Sequence, residues 1–305
     1  MGIGLQGRVA IVTGAGGGLG REHALALAAR GARVVVNDFG GATDGTGGSS
    51  ERAEAVAREI REAGGEAIAN GASVTDLAAV EAMVAQAMSA WGRVDILVNN
   101  AGILRDKTFA KMDLADFRTV LDVHLMGSVN CTKAVWEIMR EAKYGRIVMT
   151  TSSTGLYGNF GQTNYGAAKL ALVGFMQTLA LEGEKYNIRV NSLAPTAATR
   201  MTEGLLPPEA EKALAPAAVS PGVVALVAED APNRAILCAG AGSFELAHIT
   251  LTRGAYIGTG DDAAEQILAR FGEISDREGA TVPVNGNGQN EVQMANLEAA
   301  LGRRG

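Results

Sequence analysis

The sequence predicts an α/β protein built on a doubly wound parallel sheet, with a helical extension at the C-terminus. Short runs rich in Val and Ile alternate along the chain with longer stretches of helical period. These short runs are continuously apolar, which indicates strands buried on both faces. Strands that alternate with helices pair in parallel through right-handed crossovers, and ligands bind at the carboxyl ends of such strands.

The elements follow one another regularly as far as residue 194. The predicted strands cover residues 8–12, 33–38, 66–70, 94–99, 146–151 and 188–194, and residues 235–238 are a candidate seventh strand. The predicted helices between them cover residues 19–30, 50–63, 75–91, 113–141 and 164–186.

Two segments interrupt this rhythm. Residues 39–49 contain too much glycine for a helix, so a flexible loop is expected beside the end of the second strand. Residues 259–305 are polar, with helical patterns near 261–271 and 290–301. The sequence therefore predicts a catalytic domain over residues 1–258 and an extension over residues 259–305, which packs on the domain or on a second subunit.

Composition and charge exclude several classes of protein. The chain has 305 residues, 47% hydrophobic and 20% charged, as expected for a globular protein. A net charge of −6 without a dense basic run argues against a nucleic-acid partner. Residues 1–8 lack the pattern of a signal peptide, and no apolar run of about 18 residues is present to span a membrane. The two cysteines, Cys131 and Cys238, have neither zinc-ligand spacing nor the number of a disulfide framework, which favours the reducing cytoplasm.

A cluster of glycines follows the first strand and opens the first helix. This context, more than the cluster itself, is typical of a Rossmann-type dinucleotide site and disfavours a bare strand-to-helix turn. The helix N-terminus offers N–H groups and a partial positive charge to phosphates. The expected cofactor contacts are the tight turn at Gly14, the backbone approach at Gly18, the close helix packing at Gly20, and Gly16 and Leu19 between them.

An acid ends the second predicted strand, about 20 residues beyond the turn, where a carboxylate can bind both ribose hydroxyls of NAD. This acid is Asp38, for which the plain alternative is a solvated turn residue. NADP brings a phosphate with a charge of about −1.5 to −2, which usually needs a basic residue nearby. Phe39 follows the acid and Gly17 lies in the turn, so no basic residue is expected there. NAD is therefore the expected cofactor.

The predicted catalytic group consists of Ser152, Tyr165 and Lys169. Tyr165 and Lys169 are separated by four positions and so lie on one face of a helix. A tyrosine with a pKa of about 10 is a poor base at neutral pH. A lysine cation about 4 Å away would lower that pKa by about three units, and a serine hydroxyl can bond the oxygen where charge develops. This arrangement suits transfer of a proton to or from the oxygen of a secondary alcohol or ketone.

The motifs TGxxxGxG, NNAG (residues 99–102) and YxxxK, in this order, resemble the short-chain dehydrogenase/reductase family over about residues 7–250. The resemblance implies a one-domain Rossmann enzyme in which Ser152 positions the substrate oxygen and Tyr165 is the acid/base. Lys169 would lower the tyrosine pKa and bind the nicotinamide ribose, and Asn99 would support the cofactor site. Further cofactor contacts are implied at Ser73, Val74, Asn100, Ala101, Gly102, Tyr165, Lys169 and Pro195; no metal is implied.

Three positions depart from the family pattern. His124 occupies the position of a catalytic asparagine on the long helix, and it either serves a proton relay through its backbone carbonyl or is a packing residue. Pro195-Thr196 stands in place of Pro-Gly, and Ser73 stands where an aspartate often contacts adenine.

Residues 36–41, 99–109, 144–169 and 274–283 are more specifically similar to the (3R)-hydroxyacyl-CoA dehydrogenase unit of the type 2 peroxisomal multifunctional enzymes. This similarity also covers His124. It implies oxidation of a (3R)-3-hydroxyacyl-CoA by a homodimer or homotetramer, although the C-terminal Arg303-Arg304-Gly305 is not a peroxisomal signal. The alternatives are a hydroxysteroid dehydrogenase or general ketone reductase, and a non-catalytic NAD-binding sensor. Arg105, Lys107 and Arg200 either attract the phosphates of CoA or are solvated loop charges.

Overall fold

The computed structural model describes residues 2–41, 44–45, 49–198 and 208–302. Within these residues one sheet of eight strands has the order β3-β2-β1-β4-β5-β6-β7-β8, and the strands from β3 to β7 are parallel to their neighbours. The strands are β1 Val9–Thr13, β2 Arg33–Asn37, β3 Ala67–Asn70, β4 Ile96–Asn99, β5 Gly145–Thr150, β6 Ile188–Thr196, β7 Ile236–Gly240 and β8 Ser243–Ala247.

The helices of the described segments lie between and after these strands. They are α1 Gly18–Ala28, α2 Glu51–Glu62, α3 Leu77–Trp91, α4 Leu114–Leu121, α5 Gly127–Ala142, α6 Ser153–Tyr157, α7 Thr163–Gly183, α8 Pro208–Ala213, α9 Ser220–Leu226, α10 Ala263–Ala269, α11 Phe271–Ile274 and α12 Asn287–Gly302.

The core lies along the central strands. Every residue of β1, β4 and β5 is buried, as expected for continuous apolar runs covered by helices on both faces. The strand order reverses between β1 and β4, and at such a point the loops leaving neighbouring strands diverge and leave a crevice. The predicted doubly wound fold is confirmed.

The predicted strands and helices are present, and most of their ends are shifted by one or two residues. The long helix predicted over residues 113–141 is divided into α4 and α5 by a turn of π-helix, Asp122–Met126. Four of the described elements, α6, α8, α9 and β8, were not predicted from the sequence. Five-residue α6 is too short to show a helical period, and β8 is almost entirely exposed, so it has no buried apolar run.

The chain divides into two compact units, Met1–Leu246 and Ala247–Gly305. The first contains β1 to β7 and α1 to α9. The second contains α10 to α12 and a short antiparallel bridge between Leu251 and Thr281. The functional boundary predicted after residue 258 stays a prediction. None of the described helices has both the length and the apolar character needed to cross a bilayer.

Candidate active site

A cavity of about 560 Å³ opens at the carboxyl ends of β1, β2, β4, β5 and β6. It brings together most of the residues that the sequence predicted for the site. Those that line it are Gly14, Gly18, Leu19, Gly20, Asp38, Ser73, Val74, Asn100, Ala101, Gly102, His124, Tyr165, Lys169 and Pro195. Gly16 and Ser152 are not in its wall. The N–H of Gly16 bonds the carboxylate of Asp38, and Ser152 lies close enough to Tyr165 to lower the pKa of the tyrosine.

The glycine turn is held tightly against the loop that follows β4. Gly14 has a φ of +63°, and a Cβ on it would lie 2.8 Å from the Cα of Ala101. The side-chain amide of Asn100 donates hydrogen bonds to the carbonyls of Thr13 and Gly14, at 3.0 and 3.2 Å. Because a Cβ on Gly20 would collide with the carbonyl of Gly14, only glycine allows the helix to start this close to the strand.

Asp38 directs its carboxylate into the same turn. One oxygen accepts the N–H of Gly16 at 2.8 Å and the other accepts the N–H of Gly40 at 2.6 Å. A carboxylate has about four acceptor positions, so lone pairs remain for two ribose hydroxyls. The wall also contains buried polar atoms that lack a partner among the described residues, Thr150 Oγ1 and His124 Nδ1. A dinucleotide fits this set of residues.

Arg52 corrects the expectation that no basic residue lies near Asp38. It lines the cavity together with Asp38 and Phe39. The loop after β2 folds back on itself, so that the N–H of Ser49 bonds the carbonyl of Phe39 at 2.9 Å. This return brings the first turn of α2 beside Asp38, a proximity that sequence distance alone did not show.

The three predicted catalytic residues come from two neighbouring elements. Ser152 ends the segment after β5 and caps α6, its hydroxyl accepting the N–H of Thr154 at 3.2 Å. Tyr165 and Lys169 lie one turn apart on α7. The ammonium of Lys169 donates to the carbonyl of Thr150 at 2.6 Å, which fixes the lysine beside the end of β5.

The electrostatics of this group differ from the expectation. Burial raises the pKa of Tyr165, and the hydrogen bond with Ser152 lowers it by less than burial raises it. Burial also lowers the pKa of Lys169 to about 7. The predicted lowering of the tyrosine pKa by a lysine about 4 Å away is therefore wrong for the protein in this state. The reason is that the packed site disfavours both charges: burial is the largest cause acting on the pKa of Tyr165 and on that of Lys169.

His124 lies in the π-helical turn with its side chain buried against Tyr165. The two rings meet edge to face, with centroids 5.3 Å apart. Its Nε2 is 2.8 Å from the carbonyl oxygen of Ile103, and burial lowers the pKa of the imidazole to about 3. The backbone carbonyl of His124, which the relay hypothesis requires, accepts the hydroxyl of Ser128 at 2.7 Å. The side chain is thus a neutral group that packs against the tyrosine.

Asn99 does not face the cavity. Its side-chain amide donates to Thr132 at 3.1 Å and to the sulfur of Met149 at 3.3 Å, inside the protein. Its predicted support of the cofactor site is therefore indirect, through the strand that precedes Asn100. The hydroxyl of Ser73 shares a hydrogen bond of 2.9 Å with that of Thr75.

Arg105 and Lys107 are not free loop charges. Both bind the carboxylate of Asp116 on α4, at 2.8 and 3.2 Å, and the two cations lower the pKa of that carboxyl. The third predicted cation, Arg200, lies outside the described residues. Asn164, which the sequence analysis did not single out, joins this segment to α7. Its side chain donates to the carbonyl of Arg105 at 2.9 Å and accepts the N–H of Tyr165 at 2.8 Å.

The position of Asn164 directly before the predicted acid/base was the only sequence signal for it. Among the described residues, no group of three or more His, Cys, Asp or Glu side chains is arranged to hold a metal ion.

Comparison with known proteins places this geometry in context. The model of the short chain dehydrogenase family matches residues 8–210. A short-chain type dehydrogenase/reductase of Mycobacterium tuberculosis is 50% identical over 280 residues, covering 92% of this chain and 98% of that protein. The peroxisomal multifunctional enzyme type 2 of Drosophila melanogaster is 50% identical over 253 residues, covering 83% of this chain. The chain spans only 42% of that longer enzyme in this alignment.

Two solved structures of dehydrogenases superpose on this chain. The full-length Drosophila multifunctional enzyme superposes with a TM-score of 0.79 and 36% identity, covering 98% of this chain and 51% of its own. A 7α-hydroxysteroid dehydrogenase, solved with NADH and 7-oxo glycochenodeoxycholic acid, superposes with a TM-score of 0.71 and 31% identity. That match covers 79% of this chain and 95% of the steroid enzyme.

Proposed function

The chain belongs to the short-chain dehydrogenase/reductase family, and we propose that it uses NAD to oxidise the 3-hydroxyl of a (3R)-3-hydroxyacyl-CoA. The family and its dehydrogenase relatives make the protein an oxidoreductase that uses a nicotinamide cofactor. The observation that carries the proposal is that Tyr165 and Lys169 share a cavity with the glycine turn, while Ser152 lies close enough to Tyr165 to lower its pKa.

The chemistry assigned to the three residues follows from their positions. Tyr165 takes the proton of the substrate hydroxyl as its carbon is oxidised, and Ser152 bonds the same oxygen. The nicotinamide, when bound, supplies the hydride acceptor. Lys169 offers its ammonium to a ribose hydroxyl and to the charge that develops on the tyrosine. Because the site is buried, each of these interactions is stronger than it would be in water.

NAD is proposed over NADP because of Asp38. Its carboxylate lies at the end of β2 in the cavity wall, where a ribose hydroxyl is a donor and a ribose phosphate is a like charge. The remaining cofactor contacts proposed are those named above in the cavity wall, with Gly16 acting through Asp38. The same residues would also serve in the reverse direction.

The acyl-CoA substrate is proposed from the sequence resemblance and from relatives that are named peroxisomal multifunctional enzymes and hydratase-dehydrogenase-epimerases. A hydroxysteroid is the second candidate, favoured by the superposition on the 7α-hydroxysteroid dehydrogenase.

A panel of 3-hydroxyacyl-CoA thioesters in both configurations and of free hydroxysteroids, followed by NADH absorbance, distinguishes the two candidate substrates. We expect the highest kcat/KM for a (3R)-thioester, and a steroid that exceeds every thioester would contradict this.

We also propose a cytoplasmic homodimer or homotetramer in which the C-terminal unit contributes subunit or substrate contacts. The low number of cysteines supports a reducing compartment. The C-terminal unit exposes Leu268 by 77% and Phe271 by 60%, an apolar surface that association would cover. Replacing both by serine in the full chain should lower the mass seen in sedimentation or raise the KM for the thioester. Unchanged mass and kinetics would contradict this role.

A further inference from the structure

We propose that Arg52 can bind the 2′-phosphate of NADP, and that the carboxylate of Asp38 alone prevents this binding in the wild-type protein. The inference rests on the proposed NAD preference and goes beyond it. It makes cofactor choice a balance between one anion and one cation that already line the same cavity.

The first support is the position of Arg52. A Cβ built on Gly16 would lie 2.8 Å from the carboxyl carbon of Asp38 and 2.8 Å from the Cβ of Arg52. The two side chains therefore flank one point of the glycine turn. Gly40 and Gly41 belong to the same cavity wall.

The second support is that Arg52 differs from the other arginines of α2. Arg61 binds Glu54 at 2.5 Å, and Arg58 approaches Glu62 at 4.0 Å. Arg52 forms no hydrogen bond or ion pair with any residue that the structure describes. An exposed guanidinium that no described carboxylate pairs with, in the wall of a ligand cavity, is available to an anion, and its planar fork suits phosphate.

The third support is the pair of backbone N–H groups that the Asp38 carboxylate binds. Its two oxygens occupy the N–H groups of Gly16 and Gly40. Removing the carboxylate would therefore have two effects at one point. It would abolish the repulsion between the carboxylate and the phosphate. It would also release the N–H groups of Gly16 and Gly40, which can bind phosphate oxygens together with Arg52.

The test measures binding of NADH and NADPH by the change in their fluorescence, together with kcat/KM for NAD and NADP. In Asp38→Ser we expect NADPH to bind at least about tenfold more tightly than in wild type, and NADH to bind about tenfold more weakly. Arg52→Gln added to Asp38→Ser should remove the NADPH gain. Arg58→Gln added instead is the matched control and should leave the gain in place. Raised salt should weaken NADPH binding to Asp38→Ser more than to the variant that also lacks Arg52.

The proposal is overturned if Asp38→Ser gains no affinity for NADPH, or if the gain survives Arg52→Gln. Asp38→Asn, which preserves the size of the side chain, repeats the comparison if the serine variant does not fold. A wild-type protein that binds NADPH as tightly as NADH would contradict the proposed NAD preference and the closing role of Asp38. In that case, loss of NADPH binding in Arg52→Gln alone would still identify Arg52 as the phosphate ligand.

Discussion

The Nζ atom of Lys169 lies 5.5 Å from the centre of the Tyr165 ring and donates its hydrogen bond to the carbonyl of Thr150. Lys169 is buried and Tyr165 is partly buried, and burial disfavours the charged form of each: it raises the pKa of the tyrosine and lowers that of the lysine to about 7. Burial of Lys169 therefore costs stability at any pH where the lysine of the unfolded chain is charged.

Lys169→Met should abolish activity and stabilise the fold. The folded pKa of about 7 lies below the usual 10.5, so stability falls as pH decreases from 10.5 to 7 and the full penalty persists below pH 7. That shift is equivalent to about 4–5 kcal/mol, offset by about 1–3 kcal/mol for the carbonyl of Thr150 left without a donor. Denaturant unfolding at pH 6 should therefore show a gain of about 2 kcal/mol that shrinks toward pH 10.

Lys133→Met, at an exposed position of α5, is the matched control and should change stability little at either pH. A Lys169→Met variant that is less stable than wild type at pH 6 would contradict the buried-charge account.

Acid should destabilise the protein through two buried histidines. Burial lowers the pKa of both His23 and His124 to about 3, so below pH 6.5 the unfolded state binds protons that the folded state does not. Each contributes a loss whose slope approaches about 1.4 kcal/mol per pH unit as the pH falls from 6.5 to 5. His23→Gln, which retains a donor for Ser220, should remove about half of this slope in urea unfolding. His248→Gln, at an exposed position, is the control. Equal slopes of unfolding free energy against pH for the two variants would contradict the assignment of acid destabilisation to buried His23.

Gly102 and His124 should behave as a coupled pair. A Cβ on Gly102 would occupy the place of the His124 ring, colliding with its Cε1 and lying 2.9 Å from its Nδ1. Gly102→Ala should therefore cost about 1–3 kcal/mol and distort the Tyr165 contact, and His124→Ala should relieve much of that cost. The check is a double-mutant cycle of unfolding free energies. Additive effects of the two substitutions would contradict the steric coupling.

The charges of Arg105 and Lys107, which lie outside the cavity wall, should affect a CoA thioester selectively. Arg105 and Lys107 share the single carboxylate of Asp116, so this group carries one net positive charge. Arg105→Ala should raise the KM for the thioester and spare a CoA-free hydroxy ester of the same acyl group, while Asp116→Asn should lower it. Both effects should shrink at high salt because exposed charges are screened beyond about 8–10 Å. If the ester responds as the thioester does, these residues position the loop and do not bind CoA.

The sequence predicted the sheet and the glycine turn because both follow from local patterns, and the family resemblance added further residues of the cavity wall. Continuous apolar runs identify buried strands, and glycines between strand and helix identify the turn. The unpredicted features depend on distance in space. Arg52 lies beside Asp38 in the cavity wall because the intervening loop folds back on Phe39. Arg105 binds Asp116 on α4, 11 positions further along the chain.

The pKa of Tyr165 could not be obtained from spacing either. The distance to Lys169 was estimated from helical geometry, but burial is a property of the whole packed site. Its effect on both groups outweighed the expected attraction between them.

The most direct test of the account is the effect of removing one oxygen from Tyr165. Tyr165→Phe keeps the ring against His124 but removes the group that exchanges the proton. With a (3R)-3-hydroxyacyl-CoA and NAD, we expect kcat to fall by at least about 10²-fold while NADH binding stays within about twofold of wild type. Tyr256→Phe, in the C-terminal unit, is the matched control. A Tyr165→Phe enzyme that turns over at the wild-type rate would contradict the assignment of Tyr165 as the acid/base.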